Sequence, residues 1–235
     1  MAAINSAFIS FFEDWIIKQE AFLEQIESIL SSIDSGFNTN QECIDIIPRI
    51  FAHYREFYEE KAKVSTEDVF LLLSPPWMSS FERSMLWISG FRPSFLFPII
   101  GNSIAAELSD DQKRRIEIAK SETRRKEREI TQAMARVQET VAEPPIYSLM
   151  RNFGKLVDGE VGKFDAAVEE MKAAMVVVVR NADDLRWSTA GKVVEVLSPV
   201  QNVKFLAALA RFQLRARRWG LEKDSQRETG VAFQP

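Results

Sequence analysis

Apolar residues return along this chain at helical rather than strand spacing. Phe8, Phe12, Trp15, Phe22, Ile26, Ile29 and Ile33 are three, four or seven positions apart, which predicts a core-facing helix ending in the Ser35-Gly36-Phe37-Asn38 turn. Thr39 and Glu42 have capping-box spacing for a second helix, whose stripe reads Ile44, Ile47, Phe51, Tyr54 and Tyr58. Pro48 lies inside it and predicts a kink or a later start, and His53 falls just off the stripe. Ser65 is placed to cap a short helix through Leu73, which Pro75 and Pro76 close. From Pro75 to Ser94 the chain concentrates two Trp, three Pro and two Arg. Here Ser79 and Glu82 predict a capped helix carrying Phe81, Met85, Leu86, Trp87 and Ile88, apolar on most sides and therefore central. Gly90 is expected in the left-handed position after it, with Pro93 opening the next short helix.

In the second half, Ser109 with Gln112 opens a helix of about 33 residues, roughly 50 Å long, that runs to Pro144 and Pro145. Ile116, Ala119, Thr123, Ile130, Met134, Val137 and Val141 form its thin apolar seam. Tyr147, Leu149, Phe153, Leu156, Val161, Phe164, Val168, Met171 and Met175 continue in helical register, with Gly154, Gly159 and Gly162 predicting an irregular beginning and a firm helix from Ala166 to Leu185. The β-branched run Val176 to Val179 has no second strand-like run to pair with, so it is read as helix. Ser198-Pro199-Val200-Gln201 is the clearest helix start in the chain. Phe205, Leu209, Phe212, Ala216 and Trp219 then share one face up to Gly220, and residues 222–235 read as a polar tail. The fold class is all-α: a multi-helix bundle with one or two long antiparallel helices and short Pro/Gly-marked corners, forming one domain over residues 1–221.

Charge and chemistry narrow the function. Thirty basic residues against 34 acidic ones leave −4, so net charge does not favour a polyanion partner. The basic residues of the long helix, from Lys113 to Arg128, alternate with glutamates and lack aromatic neighbours, the pattern of a solvated face rather than a base-stacking surface. Cys43 stands alone in an apolar pattern, which predicts a buried free thiol and excludes a disulfide framework. The N-terminus lacks a basic signal-peptide region and no apolar run approaches about 18 residues, so the nucleus or cytoplasm is expected. Nucleotide-loop, zinc-protease and nucleophile-elbow motifs are absent, and Cys43 and His53, about 15 Å apart along a helix, do not make a nucleophile–base pair. Adjacent acids such as Asp183 and Asp184 are expected to face water. No enzyme activity, metal or catalytic residue is therefore expected. The lone His53 reads as a hydrogen-bonded structural group, and with Tyr54 and Tyr58 it is a candidate for ligand or partner contact. Lys204, Arg211, Arg215, Arg217 and Arg218 give the last helix a basic side suited to a protein partner or an anionic membrane surface.

The segment DVFLLLSPPWMSSFERSMLWISGFRPS, preceded by HYREFYEEKAKV, resembles the plant Delay-of-Germination domain, which is also the C-terminal half of TGA basic-leucine-zipper transcription factors. The matching blocks are Phe12 to Trp15, His53 to Lys61 with Phe57 replacing a tyrosine, Trp77 with Glu82 and Arg83, and Trp87, Gly90, Phe91, Arg92, Pro93 and Ser94, where Ser89 replaces a glycine. LSPVQNVKFL near the end also matches, so the likeness spans roughly residues 8 to 220. The resemblance implies a non-enzymatic regulatory module acting through protein partners: type 2C phosphatases in the dormancy branch, pollen-aperture factors at the plasma membrane in another, transcription factors in the TGA branch. A homodimer is compatible with it. No basic leucine zipper precedes Phe8, so direct sequence-specific DNA binding is not expected. Haem in the dormancy branch is attributed to histidines in the C-terminal half; His53 is the only histidine here, so no cofactor is expected, while a bound lipid would suit the aromatic interior. Trp87 is predicted to be buried, and Arg92 to be held by a carboxylate or helix-end carbonyls.

Overall fold

The structure, a computed structural model, describes residues 2–144, 146–151 and 158–230, and every regular element among them is helical. In chain order these are α1 (Ala2–Asp34), α2 (Asn40–Glu67), α3 (Val69–Leu73), α4 (Ser80–Ser84), α5 (Leu96–Ile104), α6 (Asp110–Glu139), α7 (Ile146–Arg151), α8 (Asp158–Val196) and α9 (Pro199–Glu228). The predicted positions Phe153, Gly154 and Leu156 lie outside the described residues.

Cross-helix contacts fix the directions. Gln112 donates to the Val196 carbonyl, Glu122 pairs with Lys192, and Thr123 meets Thr189, so α6 and α8 run antiparallel. They have 30 and 39 residues, or about 45 and 58 Å, as the all-α reading with long antiparallel helices anticipates. Lys18 with Glu56 and Gln25 with Arg49 set α1 antiparallel to α2. Gln19 with Gln213 and Glu27 with Arg211 set α1 antiparallel to α9. One apolar core joins the C-terminal half of α1 to α2, α5 and α9 through Ile26, Ile50, Ile100 and Phe205. A second joins its N-terminal half to α3 and α8 through Phe12, Trp15, Leu72, Trp77 and Val179.

Local signals explain most helix starts. Ser79, Ser109 and Ser198 each accept from the backbone N–H three residues on, while Glu82, Gln112 and Gln201 return the bond to the capping residue. Tertiary packing overrides others. Thr39 makes no side-chain capping bond, and α3 is capped by Asp68, which accepts from the Phe70 N–H at 3.0 Å; Ser65 is buried within α2. Pro48 sits inside α2 without ending it. The buried face of α2 is Cys43, Ile46, Ile50, His53, Lys61 and Val64, one position away from the predicted stripe, and Ile44 is exposed. The α-helix ends at Glu139, so Val141 falls in the 3₁₀ turn after it and is exposed, while Glu127 on α6 is buried. The last helix runs through Gly220 to Glu228, so residues 222–228 belong to it and not to a tail. Gly220 is instead an approach point: a Cβ there would meet the Ser79 side chain well inside contact distance. No described helix is long and apolar enough to cross a membrane.

Candidate functional site

The predicted central helix of the Pro75–Ser94 stretch is only α4, five residues long, and the chain from Met85 to Arg92 is irregular. Gly90 is not left-handed. Ile88 and Ser89 are, with φ of 46° and 60°, a conformation that L-residues adopt at a steric penalty. Such a loop has peptide carbonyls that no helix satisfies, and α8 supplies the donor. Arg186 donates to the carbonyls of Trp87 (2.5 Å), Ile88 (2.9 Å) and Phe91 (2.7 Å), and to the Asp183 carboxylate (2.5 Å). Its guanidinium also lies over the Trp87 ring, 5.5 Å from the centroid. A Cβ on Gly90 would sit 2.8 Å from the Arg186 Cζ, which is why a glycine is needed there.

The brace predicted for Arg92 is thus made by Arg186. Arg92 is exposed and rests on the Trp87 ring at 5.6 Å. Asp183 does not face water: it also accepts from Lys61 Nζ at 2.7 Å, and Lys61 is almost wholly buried. Burial pushes the Lys61 ammonium down to about 8, against the opposing pull of Asp183. Ser94 donates its N–H to Glu127 at 2.6 Å, so α6 ties down the start of the FRPS turn. Trp87 is buried as predicted, with its indole N–H on Thr131 at 2.9 Å. Trp77 and Glu82 are buried and Arg83 is exposed, donating to the Met78 carbonyl; Pro93 opens a one-turn 3₁₀ helix that leads into α5.

Under this loop lies a cavity of about 180 Å³. Phe12, Trp15, Phe57, Trp187, Phe205 and Leu206 supply apolar wall from both cores. Lys61, Ser89 and Arg186 form a polar side, and Gln213 with Tyr54 another. The Tyr54 hydroxyl donates to Gln213 at 2.7 Å and receives from Gln19 at 2.8 Å; burial pushes its pKa up to about 12. Burial, reinforced by Asp183, also raises the Tyr58 phenol. Of the three predicted contact residues, Tyr54 and Tyr58 line the cavity and His53 does not. His53 is buried, stacked on Trp15 at 4.5 Å and 7°, with neither ring nitrogen hydrogen-bonded, contrary to the expected hydrogen-bonded role. Burial lowers its pKa to about 4.

The predicted basic surface of α9 divides. Arg217 turns inward, donating to the Trp77 carbonyl at 3.0 Å, reaching Glu82 at 3.5 Å and covering the Phe12 ring at 4.9 Å. Lys204 pairs with Glu107 and Arg211 with Glu27, while Arg215 and Arg218 are exposed. Lys204, Arg211 and Arg215 edge a groove of about 810 Å³ floored by Leu30, Phe81, Ile99, Phe212 and Trp219. Trp219, expected inside, is 48% exposed and packs edge-on to Phe81.

The residues missed in sequence are Lys61, Glu127, Asp183 and Arg186. Their signal was positional: Arg186 lies on the turn of Ala182, Leu185 and Thr189, all buried, and Glu127 lies among Thr123, Ile130 and Met134. A charge inside an apolar stripe marks a buried polar contact.

The described residues form an all-α helical bundle with an arginine-braced irregular loop over an aromatic cavity. The chain belongs to the DOG1 family, whose model, described as seed dormancy control, matches residues 24–102. Protein RESPONSE TO ABA AND SALT 1 of Arabidopsis thaliana is 37% identical over 95% of this chain and 97% of its own length. Protein ZW2 of the same plant is 35% identical over 92% of this chain and 97% of its length. Transcription factor TGA5, also from that plant, is 30% identical over 85% of this chain but only 60% of its own length. The shared unit is therefore a plant regulatory domain that occurs both alone and within transcription factors.

Proposed function

We propose that this chain is a non-catalytic regulator of abscisic-acid and salt responses that works by docking a protein partner from the nucleus or cytoplasm. The near end-to-end match to RESPONSE TO ABA AND SALT 1 carries the reading. The α4–α9 groove supports the docking half: an exposed Trp and two Phe beside Arg215, with Lys204 and Arg211 paired to Glu107 and Glu27 at the rim, suit an amphipathic helix with an acidic flank. Type 2C phosphatases are the first partner class to try, with pollen-aperture factors and transcription factors next. Interferometry with purified phosphatases of the abscisic-acid pathway tests it. Binding is expected to weaken about tenfold or more in Trp219→Ala with Arg215→Glu, and a thermal melt of the double variant checks that it stays folded without the Trp219–Phe81 contact. If none binds, and plants lacking the gene germinate normally on abscisic acid and salt, the reading falls. The cavity favours a second reading, a sensor in which a lipid or other apolar molecule occupies the interior and sets the loop above it.

A further inference from the structure

We propose that the cavity beneath the Trp87–Arg92 loop receives a small apolar carboxylic acid, one ring or a short chain in size, with its carboxylate on Lys61 and Ser89. The inference rests on the ligand-sensing reading and names the ligand class.

Ser89 carries the first argument. Its φ of 60° is one that glycine adopts freely and serine does not, and Ile88 beside it is left-handed too. Ser89 lines the cavity, is more than nine-tenths buried, and its hydroxyl has no hydrogen-bond partner. An orphaned buried hydroxyl is rare, because burying it forfeits its bonds to water. A ligand acceptor in the cavity would satisfy it.

Charge gives the second argument. Among ionised groups lining the cavity, Lys61, Arg92 and Arg186 are cationic and Glu82 is anionic. Behind them Asp183 serves both Lys61 and Arg186, and Arg217 faces Glu82. Arg92 is exposed to water, and the buried Glu127 is engaged by the Ser94 N–H behind the loop, so the cation that remains for an occupant of the cavity is the Lys61 ammonium, with which a carboxylate would pair. Lys61 and Ser89 share this wall: Lys61 reaches Asp183, Asp183 reaches Arg186, and Arg186 holds the Ile88 carbonyl next to Ser89. The ammonium has three donors, and Asp183 takes one.

Size and lining set the rest of the molecule. A cavity of about 180 Å³ is close to the roughly 150 Å³ apolar cavity that accepts benzene. Phe57, Trp187 and Leu206 carry no charge, and the second polar side, Tyr54 with Gln213, is neutral and already paired, so nothing there serves a second charged end. The occupant is therefore a monocarboxylate with an apolar body.

Calorimetric titration and thermal-shift assays on the full chain at pH 7 test this, with benzoate and octanoate as acids, toluene and octanol as uncharged counterparts, and palmitate as a long chain. Benzoate or octanoate is expected to bind about tenfold or more tightly than its counterpart. Lys61→Met should abolish that preference. Ser89→Gly should raise the melting temperature of the free protein by releasing the left-handed strain, yet weaken the acid several-fold, a pairing that mere destabilisation cannot produce. Equal binding of charged and uncharged probes would overturn the carboxylate assignment and leave ligand sensing standing. Binding of palmitate alone would overturn the small-acid assignment. If no probe binds, both readings fall.

Discussion

Replacing Arg186 isolates the brace from everything else in the loop. In Arg186→Ala three carbonyls lose their donor, and Asp183 keeps only Lys61. Water entering the vacated space would recover part of each bond, so about 1 kcal/mol per carbonyl is reasonable, with about 1 kcal/mol more for the half-paired carboxylate. The sum, about 4 kcal/mol, is a large share of the 5–15 kcal/mol that holds a typical domain folded, and corresponds to a melting temperature lower by roughly 8–16 °C. Arg186→Lys keeps the charge but one ammonium cannot span three carbonyls, so about half the loss is expected. Arg92→Ala removes an exposed cation from the Trp87 face and should cost about 1 kcal/mol or less. Urea unfolding followed by far-UV circular dichroism measures all three. The contact with Gly90 adds a cycle: Gly90→Ala should destabilise the native protein, where its Cβ meets the guanidinium, and be tolerated in the Arg186→Ala background. An Arg186→Ala protein within 1 kcal/mol of the parent, or an Arg92→Ala protein equally damaged, would refute the assignment of the brace to α8.

Three further outcomes are expected. Trp87→Ala should lower stability by about 3–5 kcal/mol, since it empties a buried indole site and removes the indole's bond to Thr131, whose hydroxyl keeps its own bond to the Glu127 carbonyl; an unchanged melting temperature in a folded variant would contradict this. Gly220→Ala should cost about 1–3 kcal/mol by forcing α9 off Ser79, and calorimetry showing a neutral change would mean that the two helices do not meet so closely. His53 stays neutral in the fold down to about pH 4, whereas in the unfolded chain it takes a proton near 6.5. Its contribution to stability is therefore complete above pH 6.5 and declines as pH falls from 6.5 towards 4, by up to about 3 kcal/mol. His53→Phe, which preserves the stack on Trp15, should flatten that part of the melting profile; identical slopes in the two proteins would exclude His53 as the cause.

What could be read from the sequence was what is local. The three boxes opened by Ser79, Ser109 and Ser198 involve residues three apart, and each formed as read. The periodicity of α1 survives as well, with Phe8, Phe12, Trp15 and Ile26 buried and Gln19 completing the stripe. The stripe of α2 is displaced because polarity does not mean exposure here: His53 and Lys61 are buried on its inner face, while Phe51, Tyr54 and Tyr58 sit at its edge and turn to the cavity. Aromatic density in the Pro75–Ser94 stretch suggested a helix, yet it marks where other helices converge on an irregular loop. Periodicity reports one helix against an average interior; it carries nothing about a partner such as Arg186, 95 positions from the Phe91 carbonyl it serves.

That separation bears on how the domain would transmit a signal. The loop has no backbone bonding pattern of its own beyond short turns, such as the Trp87 N–H donating to the Gly90 carbonyl at 2.7 Å. Its shape is instead set by Arg186 on α8 and Glu127 on α6, and its inner face by Lys61 on α2 through Asp183. A ligand carboxylate on the Lys61 donors that Asp183 leaves free would share the ammonium's charge with Asp183, shifting load onto the Asp183–Arg186 contact and so onto three carbonyls of the loop. Glu82, which faces the same cavity, is held by Arg217 of α9, and Gly220 lies one turn further on against Ser79, next to the Trp219 groove. Cavity and groove thus share the α4–α9 contact, and occupancy of one is able to change the other only if that contact has two arrangements. Measuring partner affinity with and without benzoate, in the parent and in Gly220→Ala, decides it: coupling present in the parent and lost in the variant requires the shared contact, and coupling that survives the substitution removes α4–α9 from the route.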